Sequence, residues 1–174
     1  KVDLMGGAPA NTLVGAPSQR LLAGVLELDG LLERWGGNVY LVDQTSEGIV
    51  NRRAVGAELR YSDDRMSLYS LLDYDTLFRS LNAVSLQGSL QAPAQTTVTL
   101  LLDARKAPSL ERTNALISTG AASLKDLMQA QTLSLDQVTA LARSTSATAK
   151  QALLSLSRPV SERWQLGVDL RLNH

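Results

Sequence analysis

The stretch WQLGVDLRL, residues 164–172, alternates apolar and polar side chains over its whole length. Every second residue is apolar, namely Trp164, Leu166, Val168, Leu170 and Leu172. The residues between them are Gln165, Gly167, Asp169 and Arg171. A period of two residues is typical of a β-strand with one apolar and one polar face. The pattern leaves open whether the faces meet a soluble core and bulk water, or lipid and a water-filled lumen.

The same alternation recurs along most of the chain and predicts about eight strands. They are residues 20–33, 38–44, 53–61, 66–75, 83–91, 96–105, 150–157 and 164–172. Several are separated by short turn sequences, RWGG, SDDR, APAQ and RPVSER, which are rich in residues that tolerate tight turns. Strands joined in this way favour an antiparallel meander, so the predicted fold class is all-β.

One connection differs from the others because it carries helix signals. Ser123 stands three residues before Asp126 as an imperfect capping box, and Ser134 three before Gln137 as a better one. We therefore expect a two-helix insertion between strands six and seven. The predicted organisation is an irregular loop over 1–19, barrel strands over 20–106, the helical insertion over 107–146 and a final hairpin over 147–174.

Composition excludes several classes of function. The 174 residues carry 17 basic and 17 acidic side chains, and no basic run that would indicate a nucleic-acid partner. There is no cysteine and a single histidine, His174, so thiol chemistry and a metal site of Cys or His ligands are not expected. No apolar run is long enough for a membrane-spanning helix. We expect no cofactor.

The aromatic residues cluster near the turns. Aromatics make up only 4% of the chain, less than a soluble sheet core would favour. Trp35, Tyr61 and Trp164 lie beside three turns that fall on one edge of a meander. Trp and Tyr gathered at one rim are typical of a membrane-interface belt. The three residues are therefore predicted to mark a membrane interface.

The polar faces carry charges in the same phase on strand after strand. They are Glu27, Asp29, Glu58, Arg60, Asp73, Asp75, Asp103, Arg105, Asp169 and Arg171. In a closed barrel these side chains would line the lumen, where both signs of charge can pair or stay hydrated. Short turns would then face the periplasm and the helical insertion the outside. On that orientation both ends of the strand series lie on the outer side, so we expect part of a larger barrel; the alternative is that eight strands close on themselves.

Asp73 and Asp75 also raise the alternative of a hydrolase. Two residues apart on one strand, their carboxyl groups would be about 7 Å apart, a separation comparable to that of glycosidase carboxyl pairs. Neighbouring acids on a strand are far more often surface or lumen charges, and no suitable histidine accompanies the serines. We predict no catalytic residue, no metal site and no enzyme activity.

The segments RRAVGAELRY, SLLDYDTLF, LNAVSLQGSLQ, TLLLDARKAP and TNALIS resemble a known family. They are similar to the C-terminal barrel region of large bacterial outer-membrane proteins with a tetratricopeptide-repeat solenoid, such as the polysaccharide-export porins of the cellulose and poly-N-acetylglucosamine systems. The likeness runs over residues 35–172, although no tetratricopeptide repeat is present. The resemblance implies an outer-membrane conduit for export or secretion. Its partners would be outer-membrane lipid, a polysaccharide or other exported polymer, and periplasmic or inner-membrane secretion components.

A second class of function also fits the alternation. The chain could be a soluble β-sandwich or a ligand-binding β-barrel that acts as a binding module, with the Leu and Val face buried as its core. The two interpretations differ in behaviour, because only the soluble one expects a folded monomer in water without detergent.

Overall fold

The computed structural model describes residues 2–7, 19–28 and 33–174, which form one sheet with a helical insertion. The strands are β1 (Val2–Gly7), β2 (Gln19–Glu27), β3 (Trp35–Ser46), β4 (Ile49–Ser62), β5 (Met66–Asp75), β6 (Ser80–Ala92), β7 (Thr96–Ala107), β8 (Ala147–Ser161) and β9 (Trp164–Asn173).

The sheet follows chain order from β1 to β9, and every strand is antiparallel to the next. The predicted all-β antiparallel meander is confirmed. The described sheet is open, with β1 at one edge and β9 at the other. The prediction of a small barrel that closes on itself is therefore wrong for these residues.

The strand count also differs from the prediction. Residues 2–7, predicted as part of an irregular loop, form β1 and pair with β2 from Val2 opposite Leu26 to Gly7 opposite Leu21. Backbone pairing requires no side-chain alternation, and this short strand with two glycines carries little of that signal. Residues 8–18 of the predicted loop lie outside the described residues.

The connections differ between the two margins of the sheet at which the strands begin and end, which are distinct from the edge strands β1 and β9. The turns at 63–65, 93–95 and 162–163 lie at one edge, which we call the short-turn edge. The opposite edge, which we call the insert edge, carries the turn of Glu47 and Gly48, the turn at 76–79 and the helical insertion. Glu47 and Gly48 both have positive φ, 55° and 80°, as a type I′ hairpin turn requires.

The insertion has more helices than predicted. Between β7 and β8 lie a 3₁₀ turn (Arg112–Asn114), α1 (Ala115–Thr119), α2 (Leu124–Gln131) and α3 (Leu135–Ser144). The two-helix insertion between strands six and seven is thus not confirmed, since there are three short α-helices and the added β1 shifts the strand numbers. The predicted caps are confirmed: Ser123 accepts from the Asp126 N–H, and Ser134 and Gln137 form a complete capping box.

The buried apolar core lies in the insertion rather than under the sheet. Its members, all at most 1% exposed, are Phe78, Leu110, Ala115, Leu124, Leu127, Val138 and Ala142. Phe78 belongs to the turn between β5 and β6, so this core joins the helices to the sheet. We call these seven residues the insert core.

Candidate functional site

The register sorts the strands' side chains onto two faces. Directly paired residues of an antiparallel sheet share a face, and a step of one residue changes the face. One row across the sheet joins Leu26, Val39, Ala57, Leu72, Val84 and Ala104. The adjacent row joins Glu27, Asn38, Glu58, Leu71, Ser85, Asp103, Gln151 and Asn173. We call these the apolar face and the polar face.

The predicted lumen-lining residues fall on the polar face. Within the described part of the chain these are Glu27, Glu58, Arg60, Asp73, Asp75, Asp103, Arg105, Asp169 and Arg171. Asp29 lies outside the described residues. The register thus brings these side chains from five strands, β2, β4, β5, β7 and β9, onto one surface, and their lumen role stays a prediction.

A charged cluster lies on the polar face near the insert edge. Asp73 accepts hydrogen bonds from Tyr40 Oη at 2.9 Å and from Arg52 Nη2 at 2.7 Å. Arg52 Nε also lies 3.8 Å from Asp75 Oδ2. Both carboxylates are buried, and Arg52 lies close to both. The cluster thus links β3, β4 and β5, and the Arg52 guanidinium offsets part of the cost of burying the two carboxylates.

Further pairs continue along the polar face towards β9. Arg105 forms two hydrogen bonds with the Asp103 carboxylate, at 2.5 and 2.7 Å. Asp169 accepts from Ser155 Oγ at 2.6 Å and lies 3.6 Å from Arg171 Nη2. A polar depression of about 660 Å³ is lined by Asp103, Arg105, Ala149, Lys150, Gln151, Asn173 and His174. Its lining contains anionic, cationic and neutral side chains that can donate or accept hydrogen bonds.

Three polar-face residues were not predicted from the sequence. Asn38 Nδ2 donates to Glu58 Oε2 at 3.0 Å, and Tyr40 and Arg52 belong to the charged cluster. Asn38 and Tyr40 share the phase of the charged residues, so the alternation of NVYLVDQ could have identified them. Arg52 lies next to a β-bulge at Asn51, which interrupts the pairing between Gln44 and Thr45.

The predicted interface aromatics lie on the apolar face at the short-turn edge. Trp35 and Tyr61 are directly paired and their rings are 4.8 Å apart. Trp164 begins β9 and is 75% exposed. All three side chains share the face of the exposed Leu and Val residues, as an interface belt requires. That they mark a membrane interface stays a prediction.

Asp63 anchors the turn beside these aromatics. Its carboxylate accepts from Tyr61 Oη at 2.6 Å and from the backbone N–H groups of Arg65 and Met66 at 2.8 and 2.7 Å. The Tyr61 hydrogen bond, followed by the two backbone ones, holds the pKa of Asp63 below its usual range. The carboxylate is therefore ionised at neutral pH.

The insertion is fastened to the insert edge through two bulges. Asn51 and Asn82 are the extra residues at the bulges of β4 and β6, and both are buried. Asn51 Oδ1 accepts from the Thr113 N–H, and Asn82 Oδ1 from the Leu110 N–H, each at 2.9 Å. Bulges redirect side chains, and here both asparagines bind the insertion's backbone.

Arg112 makes a further link between the insertion and the sheet. Its Nη1 donates to the Val50 carbonyl at 2.8 Å and its Nε to Thr139 Oγ1 at 2.9 Å. Burial lowers the pKa of Arg112, against the opposing fields of Asp136 and Asp75. The guanidinium thus joins β4, the 3₁₀ turn and α3, and the insertion is held in one position on the sheet.

Acidic side chains can support metal binding or hydrolysis. No group of three or more His, Cys, Asp or Glu residues in it could hold a metal ion. Asp73 and Asp75 share a face, but Arg52 lies close to both carboxylates. None of the helices described here has the length and apolarity needed to cross a membrane.

In comparisons with known proteins, no family model, no curated protein and no solved structure matches this chain.

Proposed function

We propose that this sheet is a section of a transmembrane β-barrel in the bacterial outer membrane and forms part of a conduit for export or secretion. The observation that carries the proposal is the exposed apolar face. Many of its large apolar side chains are at least 36% exposed, including Leu22, Leu41, Leu59, Leu72, Leu100, Leu154, Val168 and Leu170. An apolar surface of this extent needs a cover, and lipid supplies one without any complementary protein surface.

The apolar part of the strands on the apolar face, which we call the apolar band, is about as long as a membrane-spanning strand. On β4 it extends over residues 53–61, from Arg53 to Tyr61, and on β9 over residues 164–172, beginning at Trp164. Each stretch is about nine residues, close to the 9–11 residues of a tilted transmembrane strand. Aromatic residues bound the band at the short-turn edge and charged residues at the insert edge.

The band also runs obliquely across the sheet. Tyr61 and Leu170 share one row across five strand steps, and Trp164 lies six residues before Leu170 towards the short-turn edge. The shift is about 20 Å along the strands over about 24 Å across them, an inclination of about 40°. Strands of outer-membrane barrels tilt by about 35–45°, so the boundary would be level in a barrel.

The opposite boundary shifts in the same direction. Lys150 on β8 shares a row with Ala57 on β4, whereas Arg53 lies four residues further towards the insert edge. The charged limit of the apolar band therefore moves towards the short-turn edge from β4 to β8, as the aromatic limit does. Two parallel oblique boundaries favour a tilted membrane wall over an ordinary amphipathic sheet.

The polar face would supply the hydrated path. Three opposite-charge pairs lie on it, Arg52–Asp73, Arg105–Asp103 and Arg171–Asp169, and amide, hydroxyl and phenol groups lie among them. Such a surface suits a neutral or weakly charged hydrated polymer, since no single sign dominates. Together with the resemblance to polysaccharide-export porins, this favours an exopolysaccharide as the exported material. Outer-membrane lipid and secretion components of the periplasm or inner membrane would be the other partners.

The proposal is tested by reconstitution of the chain into phospholipid vesicles. We expect the folded protein to float with the vesicles and to admit small neutral sugars, measured by vesicle swelling. Gly167→Trp, on the polar face with no atom closer than 3.8 Å to an added Cβ, should slow larger sugars. Val168→Trp, the adjacent position on the apolar face, serves as the matched control and should not.

Two results would contradict the proposal. A chain that is a folded monomer in water without detergent would favour the soluble alternative, a β-sandwich or ligand-binding barrel acting as a binding module. A chain that floats with vesicles but admits no sugar would keep the membrane location and reject the conduit.

A further inference from the structure

The apolar face carries a groove close to the insert edge. It has a volume of about 380 Å³, and its lining includes Leu22, Gly24, Leu41, Val55, Asp43 and Arg53. The groove lies where β2, β3 and β4 meet, within the band that the proposed function assigns to lipid.

The shape of the groove follows from one missing side chain. Gly24 lies directly opposite Leu41 on β3 and between the outward-facing Leu22 and Leu26 of β2. Leu22 and Leu41 are each 60% exposed and form the walls. A depression lined largely by apolar side chains is suited to an alkyl chain, because the chain leaves water there.

The insert end of the groove is cationic. Arg53 Nη2 lies 2.7 Å from Asp43 Oδ2, and the Arg53 side chain is still 56% exposed. Arg20 is exposed on the same face, two residues beyond Leu22. Arg20 and Arg53 thus bring two positive charges to this end of the apolar face, where Asp43 supplies one negative charge.

Further cationic side chains lie where the apolar face ends at the insert edge. Lys106 and Lys150 lie on this face of β7 and β8, at the end nearer the insertion. Guanidinium and ammonium groups at a membrane boundary attract phosphate, and arginine can bind it with two parallel hydrogen bonds. A second depression on the apolar face, of about 180 Å³ around Gly88, has no charged residue in its lining.

We propose that the groove binds a phosphate-bearing membrane lipid. One acyl chain lies over Gly24 between Leu22 and Leu41, and the headgroup phosphate contacts Arg20 and Arg53. The inference rests on the proposed function, because it requires the apolar face to meet a bilayer. It adds a defined lipid site at the insert edge.

The test measures lipid retention by native mass spectrometry of the whole chain in detergent. The probes are phosphatidylglycerol and a diacylglycerol with the same acyl chains and no phosphate. We expect phosphatidylglycerol to bind more tightly, and Arg20→Gln and Arg53→Gln each to weaken it about fivefold. Arg158→Gln removes a cation from the same face near the short-turn edge and should leave the binding unchanged.

A second pair of variants tests the groove itself. Gly24→Leu should fill it and reduce phosphatidylglycerol binding, whereas Gly88→Leu fills the uncharged depression and should not. Circular dichroism and flotation establish that each variant is folded.

Equal binding of the two lipids, or equal binding by wild type, Arg20→Gln and Arg53→Gln, would overturn the lipid site. Those results leave flotation with vesicles intact, so they do not reject the membrane location. Failure of the wild-type chain to float would reject the proposed function, whatever the arginine variants do.

Discussion

Asp63 shows how much of a hairpin one carboxylate can organise. It accepts hydrogen bonds from the side chain that precedes the turn and from two backbone N–H groups that follow it. We expect Asp63→Ala to loosen the β4–β5 turn, measured as faster hydrogen exchange at the Arg65 and Met66 amides. Asp64→Ala, at the next position, is the control. Equal exchange in the two variants would show that the carboxylate does not hold the turn.

The stabilisation that Asp63 gives to the turn should depend on pH. The pKa of Asp63 is lower in the folded chain than in the unfolded one, because the Tyr61 hydroxyl and the backbone N–H groups favour the ionised form. The stabilisation is therefore complete above the unfolded pKa, about 4, and is lost as the pH falls through the folded value. Protection of the turn amides should fall in that acidic range in wild type, and Asp63→Ala should lack this step.

At the scale of single residues, the alternation predicted the face of the nine described charged residues that were expected to line a lumen. It did so because a strand has a strict period of two residues. It did not predict the contacts among them, such as the approach of Arg52 to Asp73 and Asp75. Those contacts depend on which residues lie opposite one another, and the bulges at Asn51 and Asn82 shift that register.

The elements of the insertion are joined to the sheet at several points. Two bulge asparagines, Arg112 and the insert core all join it to the sheet. A capping box begins α3, so the sequence predicted this helix well. The five-residue α1 and the strand β1 were missed, because neither is long enough for a clear period.

A pair of leucines tests whether the insert core contributes to stability. Leu127→Ala should lower the free energy of unfolding by about 2–5 kcal/mol, since it leaves a cavity in a fully buried site. Leu135→Ala, on the exposed start of α3, should change it by about 0.5 kcal/mol or less. Denaturant unfolding followed by circular dichroism gives both values. Equal effects would show that the insertion is not packed on the sheet as described.

At the scale of the whole molecule, the described sheet buries little of its apolar surface. The insert core lies at one edge, and the Leu and Val residues of the apolar face remain exposed from β2 to β9. Local pattern predicted the meander, since each strand and turn is specified by neighbouring residues. Closure depends on pairing between strands distant in sequence, which local alternation does not encode, so the sequence left open whether the strands close on themselves.

The lipid-facing orientation of the apolar face can be measured directly on β9. The chain contains no cysteine, so single cysteines can be introduced and labelled with a fluorophore. The apolar-face positions are Leu166→Cys, Val168→Cys and Leu170→Cys, and the polar-face controls are Gln165→Cys, Gly167→Cys and Asp169→Cys. In vesicles, we expect a lipid-tethered quencher to act on the first three and aqueous iodide on the other three. Equal quenching of all six by iodide would contradict a membrane-facing apolar surface.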